Sequence, residues 1–432
     1  MARKIKSKKA RPASSPRQNP PMSGPANRCF GEPSFEPDDI SFKDQRPDEA
    51  FYKDADKKPL PVPKPRIDPP VMLLDDVLSD DEIQKIRRAG RIVFHAVGDT
   101  GVDYANAKSI AKLKNEDTVA DKMAGDFTEA DPADVPRFLF HLGDVVYSFG
   151  ENQYYYDQFY EPFRNYMAPI FAIPGNHDGL VYTDDPEQSL EAFKEHFCSE
   201  SPEHSPHAGG LARTTMTQPG VYFTLSAPYV TIIGLYSNIL EDPGVISSEG
   251  GKRAGVSDAQ KDFLKSQLKQ LHDENYDGAV ILAVHHPPFT GGTTHGASPR
   301  MLKDIDDAIR YAGGFAPHAV LSGHAHNYQR FTRLVGGKEI PFIIAGNGGH
   351  NVSPIKRTSG GASAIRTPVK EGDHVFEKYF DKYYGYLRIV VTSNLMSIEF
   401  HDTASGLGSK SPSDVCTVDL KTRKLTTANA GY

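Results

Sequence analysis

The run Arg91-Ile92-Val93-Phe94-His95-Ala96-Val97, followed at once by Gly98-Asp99-Thr100-Gly101, decides how the rest of the chain reads. It is rich in β-branched and aromatic side chains and nearly continuous in hydrophobicity, the pattern of a strand buried on both faces. Such a strand belongs to a sheet covered by helices. It then stops at a glycine. Glycine lets the backbone turn sharply, so the aspartate that follows is projected from the end of the sheet. In α/β architectures the loops beyond the carboxyl ends of strands converge, and ligands bind there.

Working outward, the same pattern returns along the chain. A strand over 138–142 ends at Gly143-Asp144, and one over 170–173 ends at Pro174-Gly175-Asn176-His177-Asp178. Ala279–Val284 ends at His285-His286-Pro287, and 319–321 leads to Gly323-His324-Ala325-His326. A further strand over 340–345 ends at Gly346-Asn347-Gly348-Gly349-His350. Helices fall between some of these strands. Ser79-Asp80-Asp81-Glu82 is a capping-box pattern, and Ser257-Asp258-Ala259-Gln260 is another, followed by Phe263, Leu264, Leu268 and Leu271 at helical spacing. The last strands, over 386–392, 396–401 and 415–420, read as antiparallel. Residues 102–136, 180–220 and 241–255 read as surface insertions.

A chain of 432 residues allows one large domain or two ordinary ones. The first 70 residues hold 14 of the 33 prolines, among them Pro61, Pro63, Pro65, Pro69 and Pro70. They also open with the basic run Arg3, Lys4, Lys6, Lys8, Lys9, Arg11, which reads as a solvated tail. The expected organisation is therefore a disordered, Pro-rich basic arm over 1–70, a catalytic domain over 71–402, and a C-terminal strand and tail over 403–432. A net charge of −7 argues against a nucleic-acid partner. The apolar runs are too short to span a bilayer, so no membrane partner is expected. Cys29, Cys198 and Cys416 form no CxxC spacing, and the basic start leads into no apolar signal segment. Together these point to a reduced, cytoplasmic setting.

The strand ends supply Asp99, Asp144, Tyr147, Asn176, His177, His285, His286, His324 and His326. Taken singly, a Gly-Asp before a turn is turn chemistry and an Asn-His carries nothing. Taken together, in order and all at strand ends, they make a site. Carboxylate, imidazole, amide and phenolate oxygen suit Fe, Mn and Zn. The donors are too many for one tetrahedral zinc and enough for two ions about 3.5–4 Å apart. By contrast His95, His141, His272, His318 and His374 have no such context and read as packing or surface residues. Tyr154, Tyr155 and Tyr156 read as core or rim.

The five segments Gly98–Gly101, Gly143–Tyr147, Gly175–Asp178, Leu282–His285 and Gly323–His326 resemble the five blocks of the calcineurin-like metallophosphoesterases. The resemblance runs over about residues 91–401 and is closest to the purple acid phosphatase branch. The wider superfamily carries Asp-x-His in its first block. Here Gly101 replaces that histidine, and the second block ends in Tyr147, the ligand peculiar to the branch. The resemblance implies an α/β (α+β sandwich) fold, with two central mixed β-sheets flanked by helices in four layers. It implies two metal ions, Fe(III) held by Asp99, Tyr147 and His326, and a divalent Fe, Zn or Mn held by Asn176, His285 and His324. Asp144 would bridge them. The implied activity is a phosphatase, cleaving a small phosphate monoester by in-line attack of hydroxide on phosphorus. Asn176, His177 and His295 would meet the substrate, with His177 the first and His295 the second candidate for proton donor. His286 completes the catalytic set as an orienting residue, and Arg330 would brace the His324 loop or, second, meet substrate. Departures are small: Leu282 stands for valine, Asp178 for glutamate, and the β-sandwich domain and leader common in the branch are not seen. Two other readings remain on the same residues, a phosphodiesterase or nucleotide hydrolase, and a non-catalytic interaction scaffold. The second ranks last, because all seven expected ligands are present.

Overall fold

The computed structural model describes residues 61–427 apart from 103–106, 148, 181–187, 241, 293–294, 356–364 and 409. The basic run, Cys29 and residues 1–60 of the arm lie outside the described residues. In chain order the strands are β1 (Val71–Leu73), β2 (Arg91–Val97), β3 (Leu139–His141), β4 (Ile170–Ala172), β5 (Phe223–Ala227), β6 (Val230–Leu235), β7 (Ala279–Val284), β8 (Ala319–Ser322), β9 (Tyr328–Val335), β10 (Lys338–Ala345), β11 (Val369–Glu371), β12 (His374–Phe380), β13 (Gly385–Thr392), β14 (Leu395–Asp402), β15 (Asp414–Asp419) and β16 (Lys424–Thr426). The helices are α1 (Asp80–Ala89), α2 (Ala107–Ala124), α3 (Asn176–Gly179), α4 (Glu191–Phe197), α5 (Ala259–Asp273) and α6 (Pro299–Tyr311).

The strands form two mixed sheets. One has the order β16-β15-β14-β13-β2-β3-β4, the other β1-β5-β6-β7-β8-β10-β9-β12-β11. β2, β3 and β4 are parallel to one another, as are β6, β7, β8 and β10 in the second sheet. Among these parallel strands β2, β3, β4, β7 and β8 run into the loops that carry the candidate ligands, so those loops emerge at the carboxyl ends of parallel strands in both sheets.

Side-chain alternation builds the layers. Ala279, Ile281 and Ala283 of β7 join Phe94, Phe140 and Ile173 in a cluster between the sheets, while Val280, Leu282 and Val284 face the other way. Phe140 and Phe223 meet across that interior with ring centroids 6.0 Å apart, and Tyr328 and Phe400 stack at 4.1 Å. On the outer faces α2 packs on β13 and α5 on β6. Val119 and Met123 of α2, Phe263, Leu264 and Leu268 of α5, and Met301 and Ile305 of α6 close those layers. The result is the expected four-layer arrangement.

Local chemistry explains the helix ends. In α1 the Ser79 amide donates to Glu82 Oε2 at 3.0 Å, the Glu82 amide returns a bond to Ser79 Oγ, and Gly90 stops the helix in the left-handed conformation. The capping box expected at Ser257 does not form, and α5 starts at Ala259 behind Asp258 with no side-chain cap. Gln260 is drawn inward instead, where it accepts from the Tyr236 amide at 2.8 Å and donates to the Tyr236 carbonyl at 2.7 Å.

The three stretches read as surface insertions are packed. Val119 and Met123 on the first, Phe193 and Phe197 on the second, and Val245 and Ile246 on the third are buried. The end of the arm is also held. Arg66 donates from its amide to the Pro219 carbonyl at 2.7 Å and from its guanidinium to the Thr217 and Gln218 carbonyls at 2.9 and 3.0 Å. At the other end β15 pairs with β14 and β16 with β15, so the sheet runs on to Thr426. Among the described residues no helix is long and apolar enough to cross a membrane.

Candidate metal centre

Asp99, Asp144 and His324 all take left-handed backbone, with φ of 57°, 56° and 64°. Residues other than glycine hold this conformation rarely, and a fold tends to keep it where a side chain must be aimed. Tyr147 Oη sits at the centre of one group, 2.8 Å from Asp144 Oδ2, 3.2 Å from Asp99 Oδ1 and 3.3 Å from His326 Nε2. Asp144 Oδ2 is also 3.2 Å from His285 Nε2. There the second group begins: Asn176 Oδ1 lies 3.1 Å from both His285 Nε2 and His324 Nδ1. The seven residues read as ligands thus fall into one buried cluster, with Asp144 between its halves.

The loops are pinned to one another. The His324 amide donates to both oxygens of Asp99, at 3.0 and 2.8 Å. Asp178 accepts from the amides of Val145, Val146 and Gly175 at 3.0, 3.1 and 2.8 Å, tying the second block to the third. His285 Nδ1 donates to the Leu142 carbonyl at 2.9 Å, which leaves Nε2 as the nitrogen turned to the cluster. Gln158 clamps Tyr147 from both sides of its peptide, accepting from the amide and donating to the carbonyl at 2.8 Å each. A Cβ at Gly101 would lie 2.5 Å from Gln158 Oε1 and from the Val145 carbonyl, and 3.0 Å from Tyr147 Cδ2. The space a side chain at 101 would need is thus taken by Tyr147 and its clamp, which gives the pairing of Gly101 with Tyr147 a steric cause.

Burial dominates the electrostatics. It raises the Asp99 carboxyl above the usual range, and the neighbouring Asp144 adds to this. Burial also works against charge on Asp144 and His285, but the two lie together and outweigh it: Asp144 is held well below its ordinary value and His285 rises to about 9. Burial, then Asp144 and Asp99, push the Tyr147 phenol well above 10. Two carboxylates, a phenol, an amide oxygen and three imidazoles thus crowd a dry cleft with one cationic side chain, His285, among them. A cation suits that donor set, and Asp144, His285 and His324 offer atoms within 4.8 Å of one another.

Comparison with known families agrees with this geometry. The sequence profile of the calcineurin-like phosphoesterases matches residues 92–328, more than half of the chain. The chain belongs to that family. No curated protein matches its sequence. Among solved structures it is similar to purple acid phosphatase PPD1 from yellow lupin seeds, with 12% identity and a TM-score of 0.50 over 76% of this chain and 54% of that one. It therefore spans about half the length of the lupin enzyme. GAP50, described as the anchor in the inner membrane complex of Plasmodium, is 13% identical with a TM-score of 0.49, over 76% of this chain and 89% of that one. PhoD is 15% identical with a TM-score of 0.45, over 85% and 73%. At these identities the likeness concerns the fold.

The other expected residues of this calcineurin-like centre separate. His177 donates its amide to Asp144 Oδ1 at 2.9 Å, and its ring lies 4.3 Å from that of Tyr147. The His295 ring lies 4.4 Å from His324 and 4.8 Å from His326. His286 is turned elsewhere. Its Nε2 donates to the Leu240 carbonyl and its Nδ1 accepts from Ser237, both at 2.7 Å, so it acts as a brace behind His324. Arg330 does not brace the His324 loop: its guanidinium is taken by Asp414 of β15 at 2.7 and 3.3 Å. His95, His141 and His318 lie buried with polar partners, Asp126 at 3.0 Å, Thr100 at 3.0 Å and the Val280 amide at 2.9 Å, as packing residues should.

Two residues at the site escape sequence reading. His350 stacks on Tyr147 with centroids 3.9 Å apart and planes at 9°, and donates from Nδ1 to the Gly101 carbonyl at 3.1 Å. Its place after a Gly-rich strand end was the signal for it. Asp242 lies within 4.8 Å of His295 and His324. It sits in a stretch read as a surface insertion, and no sequence signal marks it.

Proposed function

We propose that the chain is a dinuclear-metal phosphatase of the purple acid phosphatase type, acting on small phosphate monoesters. The observation that carries this is the Tyr147 phenol, 2.8 to 3.3 Å from Asp144, Asp99 and His326, in space that Gly101 leaves open. A phenolate is a hard, charged donor and suits Fe(III), so Asp99, Tyr147 and His326 would hold a ferric ion, Asn176, His285 and His324 would hold a divalent Fe, Zn or Mn, and Asp144, between the two groups, would serve both. Bound there, the ions supply Lewis acidity towards the phosphoryl oxygens and a nucleophile at neutral pH.

The protein's own groups position and protonate. The His177 amide orients Asp144, and its ring, 4.3 Å from that of Tyr147, would bind a phosphoryl oxygen. His295, beside His324 and His326, delivers a proton to the departing ester oxygen. Asp178 and Gln158 keep the loops from shifting as charge moves, which is the preorganisation that electrostatic stabilisation requires. The test is metal analysis of purified protein together with hydrolysis rates on a monoester and a diester. Two metals per chain and a faster monoester support the reading, and a faster diester moves the chain to the phosphodiesterase alternative. Protein that binds two metals but hydrolyses neither ester is the scaffold.

A further inference from the structure

His324 is fully buried and, among the described residues, its Nε2 has no hydrogen-bond partner. Its other nitrogen, Nδ1, is the one beside Asn176. The nearest acidic oxygen to Nε2 is Asp242 Oδ1, 3.6 Å away. Asp242 comes from the segment after β6, the parallel neighbour of β7. The same Oδ1 accepts a bond from the Gly296 amide at 2.8 Å, next to His295. One carboxylate oxygen therefore touches both a proposed metal ligand and the loop that bears the proposed proton donor. Its side chain is 34% exposed, so it lies at the mouth of the site, not in the core.

An imidazole that gives one nitrogen to a metal commonly gives its other N–H to a carboxylate, which fixes the tautomer and makes the ring a better donor. We infer that Asp242 is a positioning residue of this kind, orienting His324 through Nε2 and anchoring the His295 loop through Gly296. This rests on the proposed two-metal reading. Asp242, His295 and His324 also approach within 4.8 Å of one another, a spacing that a third ion would fit. But an imidazole would then have to bind ions through both nitrogens, which requires it to lose a second proton. A carboxylate partner needs no such step.

The experiment uses the full chain stripped of metal and titrated with Zn²⁺ or Mn²⁺ by calorimetry. Asp242→Asn keeps an oxygen for the Gly296 amide and removes the charge. The expected result is two sites in the wild type, one weakened about tenfold or more in Asp242→Asn and the other unchanged. With excess metal that variant regains kcat. Asp242→Ala also frees Gly296, so its kcat stays low at saturating metal while its metal affinities match those of Asp242→Asn. Circular dichroism shows whether the variants are folded, and because Asp242 is partly exposed they should be. Unchanged affinities in Asp242→Asn overturn the inference and leave the functional reading standing. Three sites in the wild type falling to two in the variant overturn it in favour of a third ion. A wild type that takes up no metal overturns the functional reading and this one with it.

Discussion

Tyr147→Phe removes a single oxygen and leaves the ring in place. In the metal-free protein that oxygen donates to the Asp144 carboxylate at 2.8 Å, in a site with no solvent exposure. A hydrogen bond to a charged group contributes about 1.5–3 kcal/mol. Asp144 keeps the His177 amide at 2.9 Å and His285 at 3.2 Å, so it is not left bare and the loss should not exceed that range. Urea denaturation after chelation measures it. The second readout is optical. Burial and the two carboxylates hold the Tyr147 phenol protonated, so it gives up its proton only in exchange for a cation. Iron-loaded protein should then show a visible phenolate-to-iron band that Tyr147→Phe lacks. Tyr311→Phe, at a ring 60% exposed, should change neither quantity. A Tyr147→Phe protein that keeps the colour refutes the ligand assignment, and one with unaltered metal-free stability refutes the hydrogen-bond argument.

Gly101→Ala places a methyl group 2.5 Å from the Val145 carbonyl, which cannot swing away as a side chain can. Overpacking of this kind costs about 1–3 kcal/mol, measurable by urea denaturation, and should also shift the iron band because the Tyr147 ring is the third neighbour. Asp178→Asn offers one oxygen where a carboxylate accepts from three amides, so at least one buried N–H loses its partner. That should cost about 1–3 kcal/mol and lower the metal content of purified protein. The metal-free site should also be pH-sensitive, with a sign set group by group. Burial raises Asp99, and Asp144 outweighs burial to raise His285 to about 9, so these two groups bind more protons in the folded protein than in the unfolded chain, whereas burial lowers His324, His326 and His350, which bind fewer. The contribution of Asp99 and His285 is lost as pH rises through the raised Asp99 value and again towards 9, and that of the three lowered imidazoles is lost as pH falls below the ordinary histidine range. A cation must displace the same protons, so calorimetric metal affinity should climb with pH until His285 has titrated, and a flat profile contradicts the argument.

The parts of this molecule that were legible in the sequence share a physical reason. A parallel strand buried on both faces is a continuous apolar run, and a ligand loop beyond it needs a glycine. β2 and β7 could therefore be bounded to the residue, and the seven residues that cluster beyond the strand ends named. β5 and β6 carry no such mark: β5 alternates apolar residues with Thr224 and Ser226, and β6, though buried throughout, ends in no Gly-flanked Asp, Asn or His. The packed stretches 102–136, 180–220 and 241–255 were hidden for the opposite reason. Their buried residues, such as Met123 and Phe193, come in ones and twos among polar ones, and only the packing they enter reveals them.

Asp242 and His350 show where reading by motif must stop. A ligand is fixed by its own loop, so local sequence can announce it. A residue that orients a ligand is fixed by the ligand's back side, which any element passing nearby can supply. Asp242 reaches His324 from a segment some eighty residues earlier, and His350 reaches Tyr147 from two hundred residues later. Gly101 lies between these cases. Its meaning came from an absent side chain, and only the Tyr147 ring pressed into that space shows that the absence is required. The residues that set which phosphate ester the centre accepts belong to the same class as Asp242, because substrate pockets are built by side chains converging from separate segments. Substrate preference should therefore follow the segments around Asp242, His295 and His350 more closely than it follows the seven donors. Exchanging the donors would abolish metal binding, whereas exchanging those segments would change the monoester-to-diester ratio.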